Sequence, residues 1–218
     1  MVRAHLAVRL KVARGRFISL EGGEGAGKST QLKRLAEALR ARGLEVVETR
    51  EPGGSPGAEM IRRLLLEGPE ERWTPEAEAL LFAAARADHV ARTIRPAVER
   101  GAWVLSDRFL DSSLAYQGGA LGLGIASVRA LHDFGSGGFL PDRTLLLELP
   151  EGAATERLGR RGGGSDRIEA RGSAFHRAVA EAFRTLCEAE PARFRRIDAS
   201  GAQEEVTGRA LAAVEDLL

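Results

Sequence analysis

The sequence predicts an α/β fold in which a five-stranded parallel sheet is covered by helices on both faces. Short apolar segments of strand length alternate along the chain with longer amphipathic segments of helix length. A glycine-rich turn joins the first strand to the first helix, and charged residues follow the second and third strands. Because alternating strands and helices form parallel sheets, ligands are expected at the carboxyl ends of the strands.

Five apolar segments are predicted to form the strands. They are rich in Val, Leu, Ile and Phe, which favour a buried strand. Gly43 marks the end of the first helix, as a C-terminal cap should. The predicted strands lie at 17–20, 45–49, 102–106, 144–149 and 194–198.

The intervening segments are predicted to be helical. Thr74 and Pro75 give a good helix start, with a capping hydroxyl followed by proline at the first helical position. The helix that begins there is expected to run towards Ala91, with a second stretch broken near Pro96. A loop and helix carry Ser112. The other predicted helices lie at 31–42, 58–67, 155–161, 174–189 and 204–218.

Composition excludes several classes of protein. The chain has 218 residues, which suits one domain with a stable core. Its 32 basic and 31 acidic residues nearly cancel, so we expect no nucleic-acid or membrane surface. Cys187 is the only cysteine, which excludes an intramolecular disulfide and a cysteine metal cluster. No apolar run approaches membrane-spanning length, and we expect a cytoplasmic protein.

Residues 1–15 are predicted to be an N-terminal extension of the domain at 16–218. The extension has no acidic residue, and its apolar residues alternate with basic ones between Val8 and Val12. It fits an added edge strand, an arginine-rich targeting leader or a poorly ordered upstream start. We favour a poorly ordered extension or a short added strand, with no catalytic role.

A glycine-rich pattern at 22–29, between strand and helix, predicts a phosphate-binding loop and a P-loop NTPase-like fold. Glycines let backbone N–H groups approach phosphate oxygens, and the helix N-terminus adds unpaired donors. Lys28 would bring charge to the β- and γ-phosphates, and the Ser29 hydroxyl would bind Mg²⁺. The predicted nucleotide-binding residues are Gly22, Gly23, Glu24, Gly25, Ala26, Gly27, Lys28 and Ser29.

Two further strand ends carry residues suited to phosphate chemistry. Asp107 follows the third strand, where P-loop proteins supply a carboxylate for Mg²⁺. Arg50 and Arg108 follow adjacent strands, and guanidinium groups form bidentate bonds with phosphate. Since the loop already accounts for a triphosphate, these arginines suggest a second phosphate on an acceptor.

Two patterns remain ambiguous from spacing alone. Phe82 and Arg86 lie four apart on one helix face, which suits base recognition, although a phenylalanine in such an apolar helix is usually core. The segment 157–171, here called the lid segment, carries five arginines around three consecutive glycines. Such a segment fits a mobile lid over phosphates and a solvated charged face equally well.

Five motifs together resemble thymidylate kinases of the bacterial type. The resemblance spans Phe17 to the C-terminus, which is nearly the whole chain except the extension. The block that begins Asp107-Arg-Phe is the most specific of them, and Arg50-Glu-Pro-Gly-Gly is moderately specific. The motifs lie at 21–30, 49–54, 81–86, 107–118 and 166–169.

The resemblance implies ATP-dependent phosphorylation of dTMP to dTDP with Mg²⁺, usually in a homodimer. By position, it implies that Glu24 contacts the deoxyribose 3′-hydroxyl and that Arg50 and Arg108 bind the dTMP phosphate. It implies that Phe82 stacks on the thymine face and that Arg86 bonds the edge of the base. It also implies that Tyr116 packs beside the sugar C2′ and that Ser113 and Gln117 line the base pocket.

The resemblance also bears on a further phosphate-binding arginine. Some family members carry a basic residue inside the phosphate loop, whereas positions 23–26 here are Gly, Glu, Gly and Ala. The chain is therefore similar to the class whose lid supplies the arginine. The three-glycine insert blurs the alignment, so the candidates are Arg160, Arg161 and Arg167.

Three alternatives compete with this reading. The first is another nucleoside monophosphate kinase or a deoxynucleoside kinase. A nucleoside kinase would need a base for the sugar hydroxyl and no clamp for an acceptor phosphate, so Arg50 and Arg108 argue against it. A GTP-binding switch needs an Asn-Lys-x-Asp motif, and the chain contains no asparagine. A non-catalytic nucleotide-binding module leaves the acceptor-side residues unexplained.

Overall fold

The computed structural model describes residues 13–150, 167–168 and 170–218, and its five described strands form one parallel sheet. The strand order is β2-β3-β1-β4-β5. The predicted five-stranded parallel sheet is confirmed, and every strand boundary lies within one residue of the prediction. The strands are β1 Phe17–Glu21, β2 Val46–Arg50, β3 Trp103–Asp107, β4 Arg143–Glu148 and β5 Phe194–Asp198.

Helices cover both faces of the sheet. Proline at the first turn and a capping hydroxyl begin α2 and α3, with Ser55 and Thr74 each accepting a backbone N–H. The predicted helix at 155–161 lies outside the described residues. The described α-helices are α1 Lys28–Ala41, α2 Pro56–Leu66, α3 Pro75–His89, α4 Arg95–Glu99, α5 Leu110–Ser113, α6 Ile125–Ser136, α7 Ser173–Ala189 and α8 Gln203–Ala212.

The core lies in two layers because neighbouring strand residues point to opposite faces of the sheet. Ile18 and Leu105 lie in one buried cluster with residues of α1 and α8. Phe17 and Val104 lie in the other, with Phe109 and residues of α4 and α7. Continuous apolar strands are therefore buried on both sides, as a parallel sheet requires.

Two helical segments differ from the prediction. The chain stays helical between α3 and α4 through a π-helical segment, Val90–Ile94, and Pro96 lies in the first turn of α4, where its missing N–H is tolerated. The helix α6 was not predicted. Its sequence is flanked by Gly124 and Gly137, and these glycines begin and end it with positive φ values of 85° and 62°.

Residues 1–12 of the predicted extension lie outside the described residues. The backbone N–H of Gly15 donates to the Val98 carbonyl over 2.9 Å, which attaches this part of the chain to the domain. In the part of the chain that the structure describes, no helix combines the length and apolarity needed to cross a membrane.

Strand register places the predicted site residues at one edge. Leu20 pairs with Asp107, and Arg50 pairs with Asp107 from the other side. The loop that follows β1 therefore lies beside the end of β3, and β2 ends on the other side of β3. This edge is where the ligands of open α/β sheets bind.

Candidate active site

A cleft of about 690 Å³ opens at the carboxyl edge of the sheet. The phosphate-binding loop forms one end, and residues of α3, α5 and the π-helical segment Leu114–Ala120 form the other. Arg167 is not among the lining residues. The predicted site residues that line the cleft are Glu24, Gly25, Ala26, Gly27, Lys28, Ser29, Arg50, Phe82, Arg86, Asp107, Arg108, Ser113, Tyr116 and Gln117.

Glycines shape the phosphate-binding loop at the positions where a side chain would not fit. Gly27, with φ of 88°, is left-handed and caps the start of α1. Gly22 has φ of 133°, and a Cβ there would lie 2.3 Å from the Leu147 carbonyl oxygen on β4. The loop can therefore pack against the sheet and still aim the first N–H groups of α1 into the cleft.

Lys28 is buried at the floor of the loop. Its Nζ donates to the carbonyl oxygens of Gly22 and Gly23 at 3.1 and 2.8 Å. Burial, and then the nearby Arg108 guanidinium, lower the pKa of Lys28, while Glu24 and Asp107 oppose the shift. An ammonium held in this way is a point charge that a triphosphate would stabilise.

Ser29 and Asp107 meet across the cleft. The Ser29 hydroxyl donates to Asp107 Oδ2 over 2.5 Å, which joins the first turn of α1 to the end of β3. A hydroxyl and a carboxylate are hard oxygen ligands, so this pair fits Mg²⁺. Among the described residues no cluster of three or more His, Cys, Asp or Glu could hold a metal. Mg²⁺ would thus take its other ligands from phosphate and water, as it usually does.

Arg108 turns the chain sharply after β3 and points into the cleft. It has the one positive φ, 69°, recorded for a described non-glycine residue. Its guanidinium donates to the Gly22 carbonyl at 3.2 Å, pairs with Glu24 and lies over the Tyr116 ring at 5.2 Å. Burial alone would lower the pKa of Arg108, but Tyr116, Glu24 and other acidic groups outweigh it and raise the pKa. The guanidinium therefore stays charged.

Glu21 supports this turn from beneath. Its two carboxylate oxygens accept the Phe109 backbone N–H at 2.7 Å and the Ser112 hydroxyl at 2.6 Å. The Ser112 hydroxyl in turn accepts a hydrogen bond from Arg108 Nη1 over 3.0 Å. Burial, followed by repulsion from Asp111, raises the pKa of Glu21 to about 8. Glu21 thus stabilises a backbone conformation that a non-glycine residue rarely adopts.

The far end of the cleft combines an aromatic ring with polar edges. Phe82 is half-buried in the lining, and Arg86 is buried beside it. Arg86 Nη2 donates to the Ser113 hydroxyl over 2.7 Å and to the Phe109 carbonyl over 3.3 Å. The Tyr116 hydroxyl donates to Glu24 Oε1 over 3.1 Å, which joins this end of the cleft to the phosphate-binding loop. Phe82 and Arg86, ambiguous in sequence, thus both reach the cleft.

Arg167, one of the three predicted lid arginines, lies away from the cleft lining in this structure. Its buried guanidinium pairs with Glu78 and donates to the carbonyls of Leu65 and Glu70 at 2.9 and 2.8 Å. A guanidinium held by α2, α3 and the turn after α2 anchors the chain and is not directed at the cleft. Arg171 adds a second bond to Glu78, over 2.8 Å.

The remaining predicted arginines differ in position. Arg50 lies at the rim of the cleft, half-exposed, with Nη2 on both carboxylate oxygens of Glu59 at 3.0 and 3.1 Å. Arg160 and Arg161 lie outside the described residues, as do all of the lid segment's residues up to 166 and position 169.

Several lining or supporting residues were missed by the sequence reasoning. Glu51 and Ser112 stand inside quoted motifs, so their motif membership was a usable signal. Glu21 also opens the first motif, but its burial is visible only in three dimensions. One side of the cleft could not be predicted, because its residues belong to no recognised motif. They are Gln31, Ala199, Gly201, Ala202, Gln203 and Val206.

The fold and cleft define a P-loop phosphotransferase. A Thymidylate kinase family model matches residues 20–209. A thymidylate kinase of Rhizorhabdus wittichii is 66% identical over 94% of this chain and 99% of its own length. One from Caulobacter vibrioides is 47% identical over 95% of this chain and 97% of its own.

Solved structures agree. The crystal structure of a thymidylate kinase from Ehrlichia chaffeensis superposes with a TM-score of 0.75 at 28% identity, over 93% of this chain and 99% of that one. The chain belongs to the thymidylate kinase family. The predicted resemblance, fold and enzyme class are therefore confirmed.

Proposed function

We propose that this enzyme transfers the γ-phosphoryl group of ATP to dTMP in the cytoplasm, giving dTDP and ADP. One observation carries the proposal. Lys28 from the phosphate-binding loop and Arg108 from the turn after β3 donate to the same Gly22 carbonyl, at 3.1 and 3.2 Å. Two cations from different elements thus converge beside the phosphate-binding loop, where a donor and an acceptor phosphate would meet.

The chemistry requires charge neutralisation more than proton transfer. An oxygen of the dTMP phosphate attacks the γ-phosphorus in line, and the bond from that phosphorus to the β–γ bridging oxygen breaks. The attacking phosphate is already an anion, so no strong base is needed. The obstacle is repulsion between two anions, which the positive charges of Lys28 and Arg108 would reduce.

Ser29 and Asp107 are the residues that we assign to Mg²⁺. When bound, Mg²⁺ supplies positive charge to the β- and γ-phosphate oxygens. The carboxylate and hydroxyl already contact each other across the cleft, so no chain movement is needed to bring them together.

Acceptor selection falls to the other end of the cleft. Phe82 would stack on the thymine face while Arg86 bonds its edge, and Ser113 and Gln117 would complete the base pocket. The buried Tyr116 ring would exclude a ribose 2′-hydroxyl. We further propose that Glu24 contacts the 3′-hydroxyl, that Arg50 binds the acceptor phosphate from the rim, and that Arg160 or Arg161 supplies the additional arginine.

We also propose a homodimer formed through α2, α3 and α6. These helices pack side by side, α3 lying against both of the others. Four of the five exposed large apolar side chains among the described residues lie on them: Met60, Leu64, Leu80 and Phe134. Exposed apolar groups collected on adjacent helices mark a protein contact surface.

The direct test offers Mg-ATP with dTMP or thymidine and follows ADP release. Turnover with dTMP and little with thymidine is the expected result, because Arg108 is placed to hold an acceptor phosphate. Turnover with thymidine and not dTMP would instead make the chain a nucleoside kinase.

A further inference from the structure

Arg86 is held rigidly by several hydrogen bonds to other residues of the chain. Its Nε donates to Glu51 Oε2 over 2.8 Å, and its Nη2 donates to Ser113 and to the Phe109 carbonyl. The guanidinium also lies over the Phe109 ring, 5.4 Å from its centroid. Arg86, with 2% of its surface exposed, and Glu51, with 6%, are both buried. The plane of the guanidinium is therefore fixed before any ligand binds.

Glu51 is fixed in its turn by a second chain of bonds. Its other oxygen, Oε1, lies 3.0 Å from His89 Nδ1, and His89 Nε2 lies 2.7 Å from the Thr49 hydroxyl. A carboxylate only accepts hydrogen bonds, so Nδ1 must carry the proton. His89 is fully buried, and a Cβ on Gly54 would lie 2.3 Å from its Nε2, so the absence of a side chain at Gly54 leaves room for the ring.

The arrangement keeps Glu51 ionised. Burial alone would raise the pKa of Glu51, but the Arg86 guanidinium and the His89 hydrogen bond outweigh it and lower the pKa. Loss of either bond would leave the buried Glu51 carboxylate without one of its partners, which costs free energy. Both bonds are therefore stabilised by the burial of the site. Glu51 consequently acts as a fixed acceptor for Arg86 Nε.

We propose that Glu51 is a positioning residue that sets the choice of acceptor base through Arg86. With Nε and Nη2 bonded to described residues, Nη1 is the nitrogen presented to a base in the cleft. An arginine has donors and no acceptor. It therefore suits the 4-carbonyl oxygen of thymine and disfavours the 4-amino group of cytosine. This inference rests on the proposed function, because it takes the acceptor to be a pyrimidine nucleotide.

The test compares dTMP and dCMP as acceptors for the wild type and for Glu51→Gln. Glutamine has nearly the same volume as glutamate but no charge. Its NH₂ group would face either Arg86 Nε or His89 Nδ1, both of which donate hydrogen bonds to Glu51. We expect the dTMP KM to rise by about tenfold to a hundredfold, the scale of a lost charge-assisted bond, with kcat changed far less. The ratio of kcat/KM between dTMP and dCMP should fall by a similar factor.

A matched control separates positioning from stability. Glu190 likewise accepts hydrogen bonds from two side chains, Arg129 and Arg193 at 2.7 and 2.9 Å, away from the cleft. Glu190→Gln should leave both the dTMP KM and the selectivity ratio unchanged. Unchanged values in Glu51→Gln as well would overturn the proposal.

A double-mutant cycle adds a measurement that a merely structural role would not satisfy. If Glu51 acts through Arg86, adding Glu51→Gln to Arg86→Gln should change the selectivity ratio no further. Additive losses would contradict the proposal.

If the variants do not fold, a structure of the wild type with dTMP provides the test. Arg86 Nε should remain hydrogen-bonded to Glu51 while Nη1 contacts the base. An Arg86 turned away from Glu51 would refute it. A wild-type enzyme that does not phosphorylate dTMP would instead refute the proposed function.

Discussion

Lys28 and Arg108 carry the charges that the proposed transfer depends on. Because cations at such a transition state contribute about 10³–10⁵ in rate, we expect Lys28→Ala and Arg108→Ala to lose most turnover while remaining folded. A coupled-enzyme assay of ADP release measures kcat for each variant, and circular dichroism checks that the variant is folded. Lys33→Ala is the matched control, since Lys33 is an exposed lysine on the same helix. A variant of either cleft residue that keeps near-normal kcat would remove that residue from the mechanism.

Glu21 makes the stability of the enzyme depend on pH. Its pKa is raised from 4.5 to about 8, first by burial and then by Asp111, so the folded chain keeps a proton that the unfolded chain releases. Stability should therefore fall as pH rises between about 5 and 8. Glu21→Gln imitates the neutral acid and should lose this slope. Urea unfolding across that pH range measures it, and equal slopes for both proteins would contradict the assignment.

Sequence alone predicted the residues whose type is dictated by chemistry. Lys28, Ser29 and Asp107 follow from what phosphate and Mg²⁺ require, and the structure brings them together. The position of Arg167 away from the cleft could not be predicted, because its partner, Glu78, lies 89 residues away in the chain. Glu51 was missed as a positioning residue for a similar reason, since its bonds to α3 exist only in the folded chain.

At the scale of elements, strands were predicted better than helices. Buried parallel strands such as β1 and β3 are continuous apolar runs whose limits are visible in the sequence. Helix α6 was missed because its flanking glycines indicate a loop. The π-helical segment Leu114–Ala120, which carries Tyr116, also has no sequence pattern of its own. Its unusual winding becomes apparent only through the backbone geometry of the folded chain.

The anchor at Glu78 joins α3 to the end of the lid segment. Glu78 accepts Arg167 and Arg171 on one oxygen and Gln117 Nε2, at 2.9 Å, on the other. Removing one partner of a buried ion pair costs about 3–5 kcal/mol, so Glu78→Gln should lower the free energy of unfolding by that order. Urea unfolding is the measurement.

A surface ion pair provides the comparison for that anchor. Glu148 accepts Arg196 over 2.6 Å with both side chains partly exposed. Exposed pairs contribute about 0–1 kcal/mol, so Glu148→Gln should change stability little. Equal effects of the two substitutions would show that the Glu78 cluster is not an anchor.

At the scale of the whole molecule, the exposed apolar residues of α2, α3 and α6 predict self-association. Phe134 is 95% exposed, so Phe134→Asp should place a charge in the proposed dimer interface and shift the mass to that of a monomer. Light scattering after size-exclusion chromatography measures this. Leu218→Asp is the control, because Leu218 is an exposed apolar residue outside these helices. A monomeric wild type, or a Phe134→Asp dimer, would rule this surface out.

The central claim is that one cleft joins ATP to a thymidine monophosphate acceptor. The most direct measurement quantifies ADP and phosphorylated nucleotide from Mg-ATP with dTMP, dUMP, the ribose form of TMP, AMP and thymidine offered separately. The account predicts equal amounts of ADP and dTDP from dTMP, weaker turnover of dUMP and little of the ribose form. ADP release that does not depend on any acceptor, or a preference for AMP or thymidine, would contradict it.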